Sequence, residues 1–186
     1  MMSNAKDIAR VFEYLSLQSY GRPIEVTRLN KLLYFAQGHA LAVLKHPLFT
    51  NQIDAWDHGP VVAVVYKSFN KIVERTEQIG LADISISPEE MDIIMDVWEQ
   101  YRDYTAKELV DLTHEPGSPW AEVYKPKVMN SHIPLELIQQ YFDRPENVLK
   151  RTGEDIEGLP ATDVLPAEEY DPEEDSVWEA LLNDAR

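Results

Sequence analysis

Apolar side chains recur at helical spacing through most of the chain. Ile8, Val11, Phe12 and Leu15 stand at i, i+3, i+4 and i+7 and predict one apolar face on a helix from about Asn4 to Gln18. Gly21-Arg22-Pro23 ends it. Thr27 is placed to cap a second helix reaching Lys45, whose apolar residues run from Leu29 through Leu33, Tyr34 and Phe35 to Leu44. They go almost all the way round, which marks a central, buried helix. After Pro47, the stretch from Leu48-Phe49 to Ile53-Asp54-Ala55-Trp56 reads as a small hairpin or extended pair. His58-Gly59-Pro60-Val61 then reads as a turn with Pro60 opening a third helix to about Arg75, its inner side formed by Val61, Val62, Val65, Phe69 and Ile72. Ser87-Pro88-Glu89-Glu90 signals a fourth helix start, followed by a stripe of Met91, Ile94, Met95, Trp98 and Tyr101. Thr105 and Glu108 fit a capping box, Ser118-Pro119-Trp120 starts a short helix, and Pro134 opens a last one carrying Leu135, Leu137, Ile138, Tyr141 and Phe142.

The expected architecture is mainly α: a compact helical bundle around a central buried helix, with a small β-hairpin and an extended acidic C-terminal tail. Seven glycines among 186 residues agree with it, because an all-β chain needs many glycine turns. The charge divides the chain. Residues 151–186 hold 12 acids and 2 bases, so −10 of the formal −16 falls there and −6 on residues 1–150. We therefore expect a helical domain over 1–150 and, over 151–186, an acidic tail ending in a short amphipathic helix. So acidic a chain argues against a duplex-binding module and against an anionic membrane surface as partner. With no cysteine, disulfides, thiolate metal sites and cysteine nucleophiles are excluded. No signal-like segment or stretch of about 20 apolar residues is present, and a cytoplasmic protein is expected.

Candidate chemistry is sparse. His39, His46, His58, His114 and His132 show no i, i+3 or i, i+4 pair, so no metal or other cofactor is expected, and surface or hydrogen-bonded core histidines are the plain reading. Asp57, His58, His114 and Glu115 could supply acid–base groups to a hydrolase. The alternative is that they are turn residues capping local backbone, and nothing fixes a nucleophile, base and orienter together. Arg22, Arg28 and Lys31 read as a solvated helix face paired with Glu25. Trp56, Trp98 and Trp120 read as packing anchors. Trp178 differs: it follows Glu173-Glu174-Asp175 and aligns with Leu181 and Leu182 on one helical stripe, the pattern of a helix-in-groove recognition segment. Folding back onto its own domain, or pairing with another copy in a homo-oligomer, are the alternatives.

Three stretches carry a resemblance. They are Arg28-Leu29-Asn30-Lys31-Leu32-Leu33-Tyr34-Phe35-Ala36-Gln37, Ile53-Asp54-Ala55-Trp56-Asp57-His58-Gly59-Pro60-Val61, and Leu109-Val110-Asp111-Leu112-Thr113-His114 followed by Pro119-Trp120. In this order and spacing the chain resembles the Panacea antitoxin domain family, with its SocA-like and GepA-like phage-associated proteins, over roughly residues 5–145. The resemblance implies a bacterial or prophage antitoxin that neutralises a cognate, often translation-targeting, toxin by direct protein–protein contact. It also implies a proteolytic adaptor role as an alternative, the SocA-like branch delivering its toxin to a Clp-type protease. It supplies no catalytic residues. The signature positions Leu33, Tyr34, Phe35, Ala55, Trp56, Gly59, Pro60, Val61, His114, Pro119 and Trp120 also have a structural account as core and turn residues.

Overall fold

The structure is a computed structural model, described here over residues 3–128 and 131–147. Its elements are α1 (Ala5–Tyr20), α2 (Val26–Val43), β1 (Asp54–Trp56), β2 (Gly59–Val61), α3 (Ala63–Tyr66), α4 (Phe69–Ile79), α5 (Pro88–Tyr101), α6 (Ala106–Thr113), α7 (Pro119–Val123) and α8 (Leu135–Phe142), followed by one 3-10 turn at Pro145–Asn147. It is mainly helical with one small antiparallel hairpin. The central helix is α2, buried on every side from Arg28 to Leu41 and packed by α1, α5, α6, α8 and β2.

Local sequence explains four of the eight helix starts among the described residues. Asn4 accepts the Lys6 and Asp7 amides, and Gly21 closes α1 in the left-handed region at φ 67°. Ser87 with Glu90 and Thr105 with Glu108 form complete capping boxes, and Ser118 accepts the Ala121 amide.

Five expectations need correction. Thr27 lies inside α2; the cap position is Glu25, whose side chain makes no capping bond, and the helix ends at Val43 rather than Lys45. The strand partner of β1 is not Leu48-Phe49 but Gly59-Pro60-Val61, with Trp56 opposite Gly59 and Asp54 opposite Val61. Pro60 thus sits in an edge strand, where its missing N–H breaks no ladder bond, and helix begins only at Ala63. The third helix is two, α3 and α4, broken at Lys67-Ser68. On α5 the core side is Ile93, Ile94, Val97, Trp98 and Tyr101, while Met95 faces solvent. The other edge of β1 is also covered: the Ala55 amide donates to the Ser131 carbonyl and the Ile133 amide to the Ile53 carbonyl.

Candidate functional site

The signature on α2 is a row of buried polar clips. The Asn30 amide donates to the Val26 carbonyl and its oxygen accepts the Val62 N–H, both at 2.9 Å. Lys31, fully buried, donates through Nζ to the Pro60 carbonyl at 3.0 Å. Gln37 accepts the Leu48 and Phe49 amides at 2.9 and 3.1 Å and donates to the Phe49 carbonyl at 2.9 Å. These groups satisfy backbone that the irregular 48–62 segment leaves unpaired, which is what makes burying them tolerable. The expected solvated basic face is therefore not there. Of Arg22, Arg28 and Lys31, only Arg22 is exposed; Arg28 is buried and donates to the Arg102 carbonyl. Burial pulls the Lys31 amine down to about 7, against a smaller upward pull from Glu25.

The hairpin turn is clamped from the other side by α7. The Trp120 indole N–H donates to the Trp56 carbonyl at 2.7 Å, and the Tyr124 hydroxyl donates to Asp57 at 2.7 Å. The Trp120 ring lies between two others, His114 at 3.6 Å and Tyr124 at 4.4 Å between centroids, at 8° and 16°. Gly59, at φ 98°, rests directly on the Lys31 side chain: a Cβ there would lie 2.8 Å from Cε and 2.7 Å from Thr113 Oγ1. No other residue fits this close approach.

The structure gathers the expected acid–base candidates only in part. His58 is exposed at the turn; burial first, then Lys31 and His58, lower the His114 pKa. Glu115 instead interacts with the Tyr141 hydroxyl. His39 is buried between Tyr101 and Phe142, and desolvation drives its pKa down to about 3. His132 pairs with Asp54, and His46 with the Pro47 carbonyl. Among the described residues no group of three His, Asp or Glu could hold a metal ion. Trp56, Trp98 and Trp120 are buried anchors, as expected. Leu33, Tyr34, Phe35, Ala55, Pro60, Val61 and Pro119 are likewise buried. Glu173, Glu174, Asp175, Trp178, Leu181 and Leu182 lie outside the described residues. The sequence reading missed Asn30, Lys31 and Gln37 as backbone clips; the signal available was three amide or amine side chains inside a helix apolar on all sides.

These clips and the turn they hold fall within residues 29–121, the stretch that matches the family described as "Antitoxin SocA-like, Panacea domain". The chain belongs to this family. Over 110 residues it is 34% identical to the Antitoxin SocA of Caulobacter vibrioides (strain NA1000 / CB15N), an alignment covering 53% of this chain and 58% of that protein. The chain thus spans little more than half the length of that relative. No solved structure matches. The matched segment runs from within α2 to within α7, and α1, Tyr124 and α8 lie outside it. Among the described residues no helix is long and apolar enough to cross a membrane.

Proposed function

We propose that this protein is an antitoxin that binds and silences a cognate toxin protein without catalysing a reaction, and that it acts in the cytoplasm. Membership of the SocA-like Panacea family carries the reading, together with a relative whose printed name is Antitoxin SocA. The use of the buried polar side chains of α2 agrees with it. Asn30, Lys31 and Gln37 are consumed in holding backbone, which suits a scaffold that presents a surface. The test is co-expression with the protein encoded by the adjacent reading frame. The neighbour alone should arrest growth, the pair should restore it, and the two should co-purify. Rescue should survive His58→Ala combined with His114→Ala; loss of rescue in a folded double variant would favour the hydrolase reading.

The acidic tail is assigned a part in the same act. With a net charge of −10 over residues 151–186, it would occupy the phosphate-binding surface of a toxin that acts on a nucleic acid. Glu173, Glu174 and Asp175 would steer association, and Trp178, Leu181 and Leu182 would anchor it. Truncation after Gly153 should then weaken binding. If truncation leaves binding intact but stops toxin degradation, the tail serves a Clp-type protease instead and the protein is an adaptor.

A further inference from the structure

A chain of fixed groups runs from the core to the surface beside the hairpin turn. Trp120 is pinned by its N–H on the Trp56 carbonyl and by His114 on one side. Tyr124 lies flat on Trp120, and its hydroxyl holds Asp57 at 2.7 Å. Each member is oriented by the one beneath it, so the last pair, Tyr124 and Asp57, is pre-organised although both reach solvent. Among the described residues Trp120 is the single ring packed on Tyr124, and the Tyr124 hydroxyl is the one side-chain partner of Asp57. A flat ring with a carboxylate held at its rim is the arrangement that receives a guanidinium, which stacks on the ring while its N–H groups meet the carboxylate.

We propose that Tyr124 and Asp57 form a docking site for an arginine side chain of a protein partner. Lysine fits less well, since its ammonium is a point charge without a plane to stack. The exposed chain neighbours Glu122, Lys125 and Lys127 carry no excess of acid, so the local preference comes from geometry. At longer range the formal charge of −16 draws in a cationic segment and repels a nucleotide, the other flat group that stacks on tyrosine.

The experiment uses the full chain and needs no toxin, so its outcome is separate from that of the antitoxin reading. An acetylated, amidated pentapeptide with one arginine between glycines is titrated while the tyrosine ring and tryptophan indole signals are followed by NMR. We expect saturable shifts at Tyr124. Affinity should fall at least tenfold when the arginine is replaced by lysine or by uncharged citrulline, and at least tenfold in Asp57→Asn or Tyr124→Ala. Asp92→Asn, on α5, should change nothing. Asp57→Asn keeps an acceptor for the Tyr124 hydroxyl, and an unmoved Trp120 indole signal certifies its fold, so that variant decides even if Tyr124→Ala unfolds. Absence of a saturable shift at Tyr124, equal binding of the lysine peptide, undiminished binding by Asp57→Asn, or shifts at Tyr124 with uridine monophosphate but not with the arginine peptide would each overturn the proposal.

Discussion

Gly38 sets a helix contact by what it lacks. The Phe142 ring of α8 lies so close to its Cα that a Cβ would stand 2.2 Å from the ring. The same ring meets Tyr34, Phe35 and His39 edge-on, so it cannot slide aside without losing three contacts. Gly38→Ala should therefore destabilise the protein by about 1–3 kcal/mol or more, although alanine is the better helix former. Chemical denaturation checks this, and Phe142→Leu in the Gly38→Ala background should recover part of the loss, since the two changes act on one contact. Trp56 is a second case. It is 5% exposed and meets Tyr66 at 5.3 Å. Trp56→Ala should cost about 3–5 kcal/mol, and rescue in the co-expression test of the proposed antitoxin role should fall with the melting temperature. A variant that keeps its melting temperature but fails to neutralise would make Trp56 a contact residue.

At the scale of elements, legibility follows the distance over which each determinant acts. The starts of α5, α6 and α7 were readable because their caps lie within three residues of the amides they satisfy. Ser87→Ala and Thr105→Ala should each cost about 1 kcal/mol, measurable by denaturation, with Ser87→Ala the larger because its box partner Glu90 is buried and also accepts the Ser3 hydroxyl. The hairpin was not readable in the same way. Gly59-Pro60 suits a helix start as well as an edge strand. What decides between them is Lys31, 29 residues earlier, which takes the Pro60 carbonyl, and Asn30, which takes the Val62 amide. The site shows the same limit. Trp120 could be recognised as an anchor from its surroundings in sequence, but its bond to the Trp56 carbonyl spans 64 residues and leaves no local trace. Nor could spacing place Tyr124 beside Asp57, 67 residues away.

For the molecule as a whole, three buried ionisable groups shape stability against pH, and they pull in different directions. His39 is held down to about 3, so its contribution is present above its ordinary 6.5 and is lost as pH falls toward 3. Glu13, buried with one oxygen on the Ile24 amide and the other without a partner, is raised to about 7 by desolvation. Its contribution is present below 4.5 and is lost as pH rises to 7. Lys31, lowered to about 7, carries the cost of a buried charge below that value and sheds it as pH rises toward 10.5. Between 4.5 and 6.5 the first two groups oppose each other, and His114, also held below its ordinary value by burial, adds a rise with pH toward 6.5. From 6.5 to 7 Glu13 alone acts and stability drops; above 7 Lys31 takes over and stability climbs. The expected profile has a shallow minimum near pH 7, with each uncompensated proton changing the folding equilibrium about tenfold per pH unit. Urea denaturation from pH 5 to 8.5 stays below the range where the tyrosines titrate and should trace this curve. Lys31→Met should flatten the rise above pH 7, and Glu13→Gln should remove the fall just below it. A wild-type curve that instead fails to rise from pH 7 to 8.5 would mean that Lys31 keeps its proton in the fold, with the Pro60 carbonyl and the charge of Glu25 sufficient to hold a buried ammonium.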